Sequence, residues 1–274
     1  MVRVVVSTNK KMLLSVVIPA KDEEGCIEAT ISALTATLAA AKIPYEIVVV
    51  DDGSEDATAE KVHKLAAADS AIRLIENRGR HGFGLAVRKG LEYFTGDCVA
   101  IFMADASDSP DDLVRYYRII EEGYDCAFGS RFIKGGRIVD YPRRKLLLNR
   151  LANAFVSALF RVQYNDVTNA FKCYRREVVE HMQPLISPHF NLTVEMPLKA
   201  IVRGFSYRVT PITWTNRQTG VSKLKIKEMG SRYLFIVLYL WLEKYLSRGD
   251  YHRPIAAVSG EPAEVPGAVP HPHP

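Results

Sequence analysis

Cysteine is scarce in this 274-residue chain: Cys26, Cys98, Cys126 and Cys173 stand apart, with no C-x-x-C pair among them. That spacing speaks against a zinc site or a disulfide framework and for reduced thiols. The opening MVRVVVSTNKK has no apolar core and small-residue cleavage site of the secretory kind, so a cytoplasmic protein is expected. Long hydrophobic runs are missing too. The longest candidate, Tyr233 to Leu242, would reach only about 15 Å as a helix, half of the roughly 30 Å core of a bilayer. There is no Walker A sequence, and no G-x-G-x-x-G follows the first apolar run, which argues against a P-loop ATPase and a Rossmann dehydrogenase. Neither charge sign dominates: 36 Lys and Arg against 31 Asp and Glu leave a formal +5. Such a mild excess suits an anionic substrate or membrane surface and does not call for nucleic acid.

What is present is enough apolar material, 48% of the residues, for one large domain or a domain with an appendage. Strand-like runs (SVVIPA from Ser15, EIVVVDDGS from Glu46, IRLIEN near Ala71, CVAIFMADAS from Cys98) alternate with amphipathic segments at about 24–41, 56–67, 84–94 and 110–122. This alternation predicts βαβ units and a mostly parallel sheet. Asp56 marks one helix start; Ser109, Pro110, Asp111 and Asp112 mark another. Further on come a strand CAFGS, a basic loop from Arg131 to Lys145, and a helix in which Leu151, Ala154, Phe155, Ala158 and Leu159 share a face. A helix over 191–204, a strand YRVTPITW, a polar loop TNRQTGVSK and a last helix at about 227–246 complete the pattern. The tail beyond Arg253 is rich in Pro, Gly and Ala and is expected to be disordered.

Ligands of open parallel sheets bind beyond the carboxyl ends of the strands, and there the residues are acidic: Asp51 and Asp52 after IVVV, Asp105 and Asp108 after VAIFMA. Any one of them could simply cap the next helix, but two clusters at two strand ends favour a site. Carboxylates so placed suit Mg²⁺ or Mn²⁺, whose other positions take water and phosphate oxygens, and a diphosphate ligand follows. The glycine-rich segment Gly79 to Gly84 reads equally well as a flexible turn.

Five segments in order, Ser15 to Glu24 (SVVIPAKDEE), Val50 to Ser54 (VDDGS), Ala104 to Asp108 (ADASD), Gly129 to Phe132 (GSRF) and Arg217 to Lys223 (RQTGVSK), resemble glycosyltransferases of family two. The resemblance is strongest to the branch acting on dolichyl or polyprenyl phosphate and spans about residues 13–225. It implies an α/β GT-A nucleotide-diphospho-sugar transferase fold and an inverting transfer of mannose or glucose from GDP-mannose or UDP-glucose to a lipid phosphate. Pro19, Lys21 and Glu23 match the loop that holds the nucleoside, and Val49 and Asp51, beside Asp52, match base and ribose contacts. Asp105, Ala106 and Asp108 match the metal motif. Its usual D-x-D is D-A-S-D here, so Ser107 or Asp108 supplies the second ligand. Arg131 resembles a phosphate ligand, and Arg217 with Lys223 the pair that closes over the diphosphate. Where the branch commonly has a serine touching the acceptor phosphate, this chain has Asn149, after Arg143, Arg144 and Lys145.

A lipid phosphate is already ionised and needs no general base, and Arg131, Arg143, Arg144 and Lys145 would then form its anion site, although a solvated basic loop has the same composition. A hydroxyl on a glycan or small molecule would need a base, for which Glu195 is the candidate, with an ion-paired helical glutamate as its plainer reading. The chain divides into an N-terminal extension (1–12), the transferase domain (13–225), an amphipathic helix (226–248) and a tail (249–274). Lys223, Lys225, Lys227 and Arg232 ahead of an apolar face suit an interfacial helix peripheral on a membrane; a buried or dimerisation helix, hence a homo-oligomer, would look alike. From a different class, a non-catalytic nucleotide-sugar-binding protein also fits.

Overall fold

Seven strands form the central sheet of the computed structural model, which describes residues 11–216 and 226–253, with side chains in the second segment from 230 onward. The first half is the expected alternation: β1 (Leu14–Ala20), α1 (Ile27–Ala40), β2 (Tyr45–Asp51), α2 (Thr58–Ala68), β3 (Ile72–Glu76), α3 (Phe83–Tyr93), β4 (Cys98–Ile101) and α4 (Pro110–Glu121). Then follow β5 (Cys126–Ser130), β6 (Arg137–Val139), α5 (Arg143–Phe160), β7 (Lys172–Arg175), α6 (Arg176–His181), α7 (Leu192–Val202), β8 (Tyr207–Pro211), β9 (Thr213–Thr215) and α8 (Ile226–Leu246).

The sheet order is β3-β2-β1-β4-β7-β5-β8, and only β7 runs antiparallel to its neighbours. In β2, Val48 and Val50 enter one core layer while Ile47 and Val49 enter the other, as the two-residue period of a strand covered on both faces requires. The first layer lies against α3, α5, α7 and α8, the second against α1 and α4. Pro110 occupies the first turn of α4 with Asp111 and Asp112, where a missing N–H costs nothing and anions face the positive helix end.

Three features depart from the sequence reading. The YRVTPITW strand divides at Ile212, so that β8 completes the main sheet while β9 pairs in parallel with β6 in a second, two-stranded sheet. The basic loop is shorter than expected, because α5 begins at Arg143 behind Pro142, which puts Arg143, Arg144 and Lys145 in its exposed first turn. The shared apolar face of α5 points outward: Leu151 and Phe155 are exposed, while Asn153, Val156 and Phe160 are buried. At the far end the folded chain continues past α8, since Arg253 donates its N–H to the Arg203 carbonyl and pairs with Asp125. Residues 254–274 lie outside the described residues.

Candidate functional site

The loops after β1 and β2 are knitted together by side-chain-to-backbone bonds. Asp22, at φ 49°, donates its N–H to Ser54 Oγ at 3.0 Å, and its carboxylate accepts the Glu55 N–H at 2.9 Å. Glu23 donates its N–H to Thr58 Oγ1 at 2.8 Å. In register, Pro19 lies beside Val50 and Ala20 beside Asp51, so Pro19, Lys21, Glu23 and Asp51 gather at the carboxyl ends of β1 and β2. Asp51 turns back to accept the Ser54 N–H.

Two expected donor contacts have other employment. Val49 has no exposure, and its side chain belongs to the core layer under the sheet. Asp52 accepts from Asn77 Nδ2 at 2.6 Å and the Gly82 N–H at 2.7 Å, with His81 Nδ1 at 3.3 Å. Its carboxylate therefore anchors the glycine-rich segment 79–84, which is a held turn. Gly84, in the first turn of α3, lets that helix approach the segment around Pro188, because a side chain there would collide with the Ser187 carbonyl.

Asp105, Ser107 and Asp108 lie just past β4 and are all buried. Ala106 adopts a left-handed φ of 57° between them, a conformation that L-residues avoid outside such turns. This turn lets Asp105 accept the Ser107 N–H at 3.1 Å while Asp108 accepts the Met103 N–H at 3.2 Å. Burial, followed by the charge of Asp105, pushes the Asp108 carboxyl up to about 7, against the opposing charge of Arg131. Two neighbouring buried carboxylates are a hard oxygen donor set for a divalent cation, which takes one or two such ligands and fills its other positions with water and phosphate oxygens. Among the described residues no group of three or more His, Cys, Asp or Glu forms a complete metal cage. The Ser107 main chain is engaged at both ends, its carbonyl accepting the Thr215 N–H at 3.0 Å, and Asp108 forms an antiparallel bridge with Trp214. Hence β9 delivers the following segment from beside the aspartates. Arg217 and Lys223, in that segment, lie outside the described residues.

Arg131 is buried and faces Asp166, which has no exposure: Nε donates at 2.8 Å, Nη2 at 2.7 Å and the Arg131 N–H at 2.9 Å. The fork is thus committed on two of its nitrogens to a carboxylate, and the residue expected as a phosphate ligand is a guanidinium clamped under Trp214 and Phe132. Asp166 carried no signal in the sequence, because its partner is 35 residues away and Asp166 itself lies in a loop rather than at a strand's end. Nearby, Lys172 is fully buried, donating to the carbonyls of Val167 at 3.0 Å, Thr193 at 3.1 Å and Asn169; burial lowers its pKa to about 7.

Asn149, on the inner side of α5, donates to Thr168 Oγ1 at 3.0 Å and accepts from Asn153 Nδ2 at 2.9 Å. It sits one turn beyond the exposed Arg143, Arg144 and Lys145. Glu195 does not join the site. It has no exposure, pairs with the equally buried Lys199 at 2.9 Å, and accepts the N–H groups of Ile186 at 2.9 Å and Ser187 at 2.8 Å. With both oxygens so engaged and the side chain without exposure, the general-base expectation gives way to the ion-paired one.

Solved structures of glucosyl-3-phosphoglycerate synthase from Mycobacterium tuberculosis superpose with a TM-score of 0.63 at 19% identity, over 86% of this chain and 81% of that one, which shows a shared GT-A fold. Polyprenol monophosphomannose synthase of Mycolicibacterium smegmatis is 35% identical over 184 residues, 65% of this chain and 69% of that protein. Dolichol-phosphate mannosyltransferase of Pyrococcus furiosus is 31% identical over 220 residues, 79% of this chain but 60% of that protein, so this chain spans less than two thirds of its length. The family model for glycosyl transferase family 2 matches residues 15–183, the stretch that contains all but the first residue of β1, the VDDGS and ADASD turns, Arg131 and Asn149, and the chain belongs to that family.

Proposed function

We propose that this protein transfers a hexose, mannose or glucose, from a nucleotide-diphosphate sugar to a polyprenyl phosphate with inversion at the anomeric carbon. The observation that carries this reading is the Asp105–Asp108 turn: two buried carboxylates held by a left-handed residue at the carboxyl end of β4, with β9 leading out beside them. Asp105 and Asp108, rather than the Ser107 hydroxyl, are the metal ligands, since both are buried carboxylates at one turn and a hard divalent cation takes charged oxygens before a neutral hydroxyl. Bound Mg²⁺ or Mn²⁺ would supply Lewis-acid stabilisation of the leaving diphosphate. Structures of the M. tuberculosis synthase were obtained with Mn²⁺ or Mg²⁺ and UDP, which supports a divalent ion without choosing between them.

Pro19, Lys21, Glu23 and Asp51 hold the nucleoside at the β1 and β2 ends, and Ala106 lies against the donor with its exposed left-handed turn. Arg217 and Lys223 would complete the neutralisation of the diphosphate from the segment that β9 launches. The acceptor phosphate meets Arg143, Arg144 and Lys145 with Asn149 behind them, and Arg131, fixed by Asp166, sets the field between the two substrates. A phosphate acceptor is favoured over a hydroxyl because Glu195 is sealed in a salt bridge and an ionised phosphate requires no base. The names of the two mannosyl-transferring relatives support the same acceptor class.

The acceptor's lipid places the enzyme peripherally on a membrane, on its cytoplasmic face. No described helix is long and apolar enough to cross one. Instead Leu147, Leu148, Leu151 and Phe155 on α5 and Leu234, Phe235, Leu238 and Leu242 on α8 stand exposed. The two helices meet where Lys244 Nζ reaches the Phe160 carbonyl. Apolar faces of this extent with a basic first turn suit adsorption to an anionic bilayer. The test is a product assay with radiolabelled GDP-mannose and UDP-glucose, with and without polyprenyl phosphate and Mn²⁺. Lipid-extractable label that needs both additions is expected; label appearing only on soluble glycans would overturn the acceptor assignment.

A further inference from the structure

A cavity of about 340 Å³ opens beside α8, lined by Ile186, Ser187, Pro188, Asn191, Arg232 and Phe235 among others. None of the strand-end aspartates and none of the residues from Arg143 to Asn149 lines it. Arg232 and Phe235 lie on the flank of α8 that continues through Tyr239 and Glu243, where Lys199 faces the Tyr239 ring and Arg203 pairs with Glu243. That flank is turned to α7, whereas α5 meets α8 at Lys244.

Its walls are built from below. The buried Glu195–Lys199 pair fixes the N–H groups of Ile186 and Ser187, the Pro188 carbonyl accepts the Leu85 N–H at 3.2 Å, and Phe190 stacks on Phe83 at 4.4 Å. Within this rigid frame Asn191 is 4% exposed, and its Nδ2 donates to Ser187 Oγ at 2.8 Å, yet its Oδ1 is buried with no partner. Turning the amide over would leave its nitrogen in the same state, so one polar atom is unsatisfied in either orientation. Buried polar atoms in folded proteins are nearly always paired, which makes this one an indication of a missing ligand. A hydroxyl, being donor and acceptor at once, satisfies both orientations. Arg232, partly buried at the same cavity, has no carboxylate partner among the described residues. On the outer rim Phe235 is 62% exposed, and Leu238 and Leu242 continue an apolar strip along α8.

A ligand that satisfies all three features has an anionic group, a hydroxyl and an apolar chain. We propose that this cavity binds an anionic phospholipid whose headgroup ends in a free hydroxyl, with its phosphate on Arg232, its hydroxyl on the Asn191 amide and its chains along Phe235 and Leu238. The assignment rests on the membrane-surface reading above and deepens it: a lipid of the surrounding bilayer, separate from the acceptor, orients α8.

The experiment uses dihexanoylphosphatidylglycerol below its critical micelle concentration, titrated calorimetrically into the full chain, so that neither bilayer adsorption nor sugar transfer enters the readout. Saturable one-site binding is expected, weakened at least about tenfold in Arg232→Gln, the loss of a hydrogen bond to a charged group, and at least about threefold in Asn191→Leu, the loss of a neutral one. Arg248→Gln, which removes the same charge from an exposed position, leaves it unchanged. Circular dichroism verifies the fold of both cavity variants, and Arg232→Gln, a change on a helix surface, decides if Asn191→Leu misfolds. Absence of binding, equal binding of dihexanoylphosphatidylcholine, or full binding by Arg232→Gln overturns the site. Equal binding of glycerol 3-phosphate overturns the lipid assignment in favour of a soluble phosphate ester, and displacement by geranyl phosphate overturns it in favour of the acceptor. Failure of the transferase reading would appear only in the product assay and leave this titration untouched.

Discussion

A carboxylate buried beside another carboxylate holds its proton until a cation takes the proton's place. Asp108, pushed up to about 7 from an unfolded value near 3.8, is such a group. Because its folded pKa lies above its unfolded one, the folded state binds the proton more tightly, and the stability so gained is full below about pH 4 and is lost as pH rises to about 7. The slope is at most about 1.4 kcal/mol per pH unit. The melting temperature of the metal-free protein should therefore carry a component that falls between pH 5 and pH 8 and is absent in Asp108→Asn. Added Mn²⁺ should raise it more at pH 8 than at pH 5, since metal and proton compete for the same oxygens. The same substitution should lower turnover on the order of 100-fold, measured on the folded protein. Glu195 behaves in the opposite way. Glu195→Gln leaves the Lys199 ammonium buried without its counter-ion and should cost about 3–5 kcal/mol in urea unfolding, while the turnover of the remaining folded protein stays within about twofold. A 100-fold loss of turnover at unchanged stability would restore Glu195 as a base. For both residues the sequence showed the chemistry available, whereas their burial and, for Glu195, its contacts with Ile186 and Ser187 are visible only in the folded chain.

At the scale of elements, α5 shows how periodicity locates a face without giving it a direction. Leu151, Ala154, Phe155 and Ala158 do share a side, and a core-facing stripe would have the same spacing. In the folded chain the polar side turns inward, because Asn149 and Asn153 bond to Thr168 and to each other there. That leaves the leucines outside, next to the exposed leucines of α8. Insertion of each such side chain into a bilayer interface contributes up to about 1.5–3 kcal/mol. The double variant Leu151→Asp, Leu238→Asp should abolish co-sedimentation with anionic vesicles and keep its circular dichroism spectrum; retention of vesicle binding would sink the adsorption reading. A second element-scale expectation concerns the clamp between β5 and the loop before β7. Asp166→Ala strands a buried guanidinium and should destabilise the chain by about 3–5 kcal/mol in urea.

For the whole molecule, the proposed donor site draws on the loops that follow β1, β2 and β4 of one sheet, so donor binding should stabilise the entire fold. With Mn²⁺ present, the preferred nucleotide sugar at about 100 times its Kd should add about 2.7 kcal/mol, read as a rise in melting temperature. Removal of the metal by chelation should reduce that rise, and a donor-independent melting temperature would contradict a nucleotide-sugar site. This coupling follows from the single sheet on which the loops are mounted, with its two core layers continuous across the strands.

The sequence by itself determined the α/β alternation, the helix starts at Pro110 and near Asp56, and the placement of acidic residues after β2 and β4, because these depend on local period, local capping and the chain direction of parallel strands. Tertiary structure alone decided the antiparallel insertion of β7, the split of the last strand into β8 and β9, and the sealing of Glu195 by Lys199. It also decided that Asp52 holds a glycine-rich turn while Asp108, a few residues past β4, is left with a raised pKa beside Asp105. Those outcomes depend on which side chains meet across tens of residues and on how much water reaches them. Neither quantity is encoded in any local window.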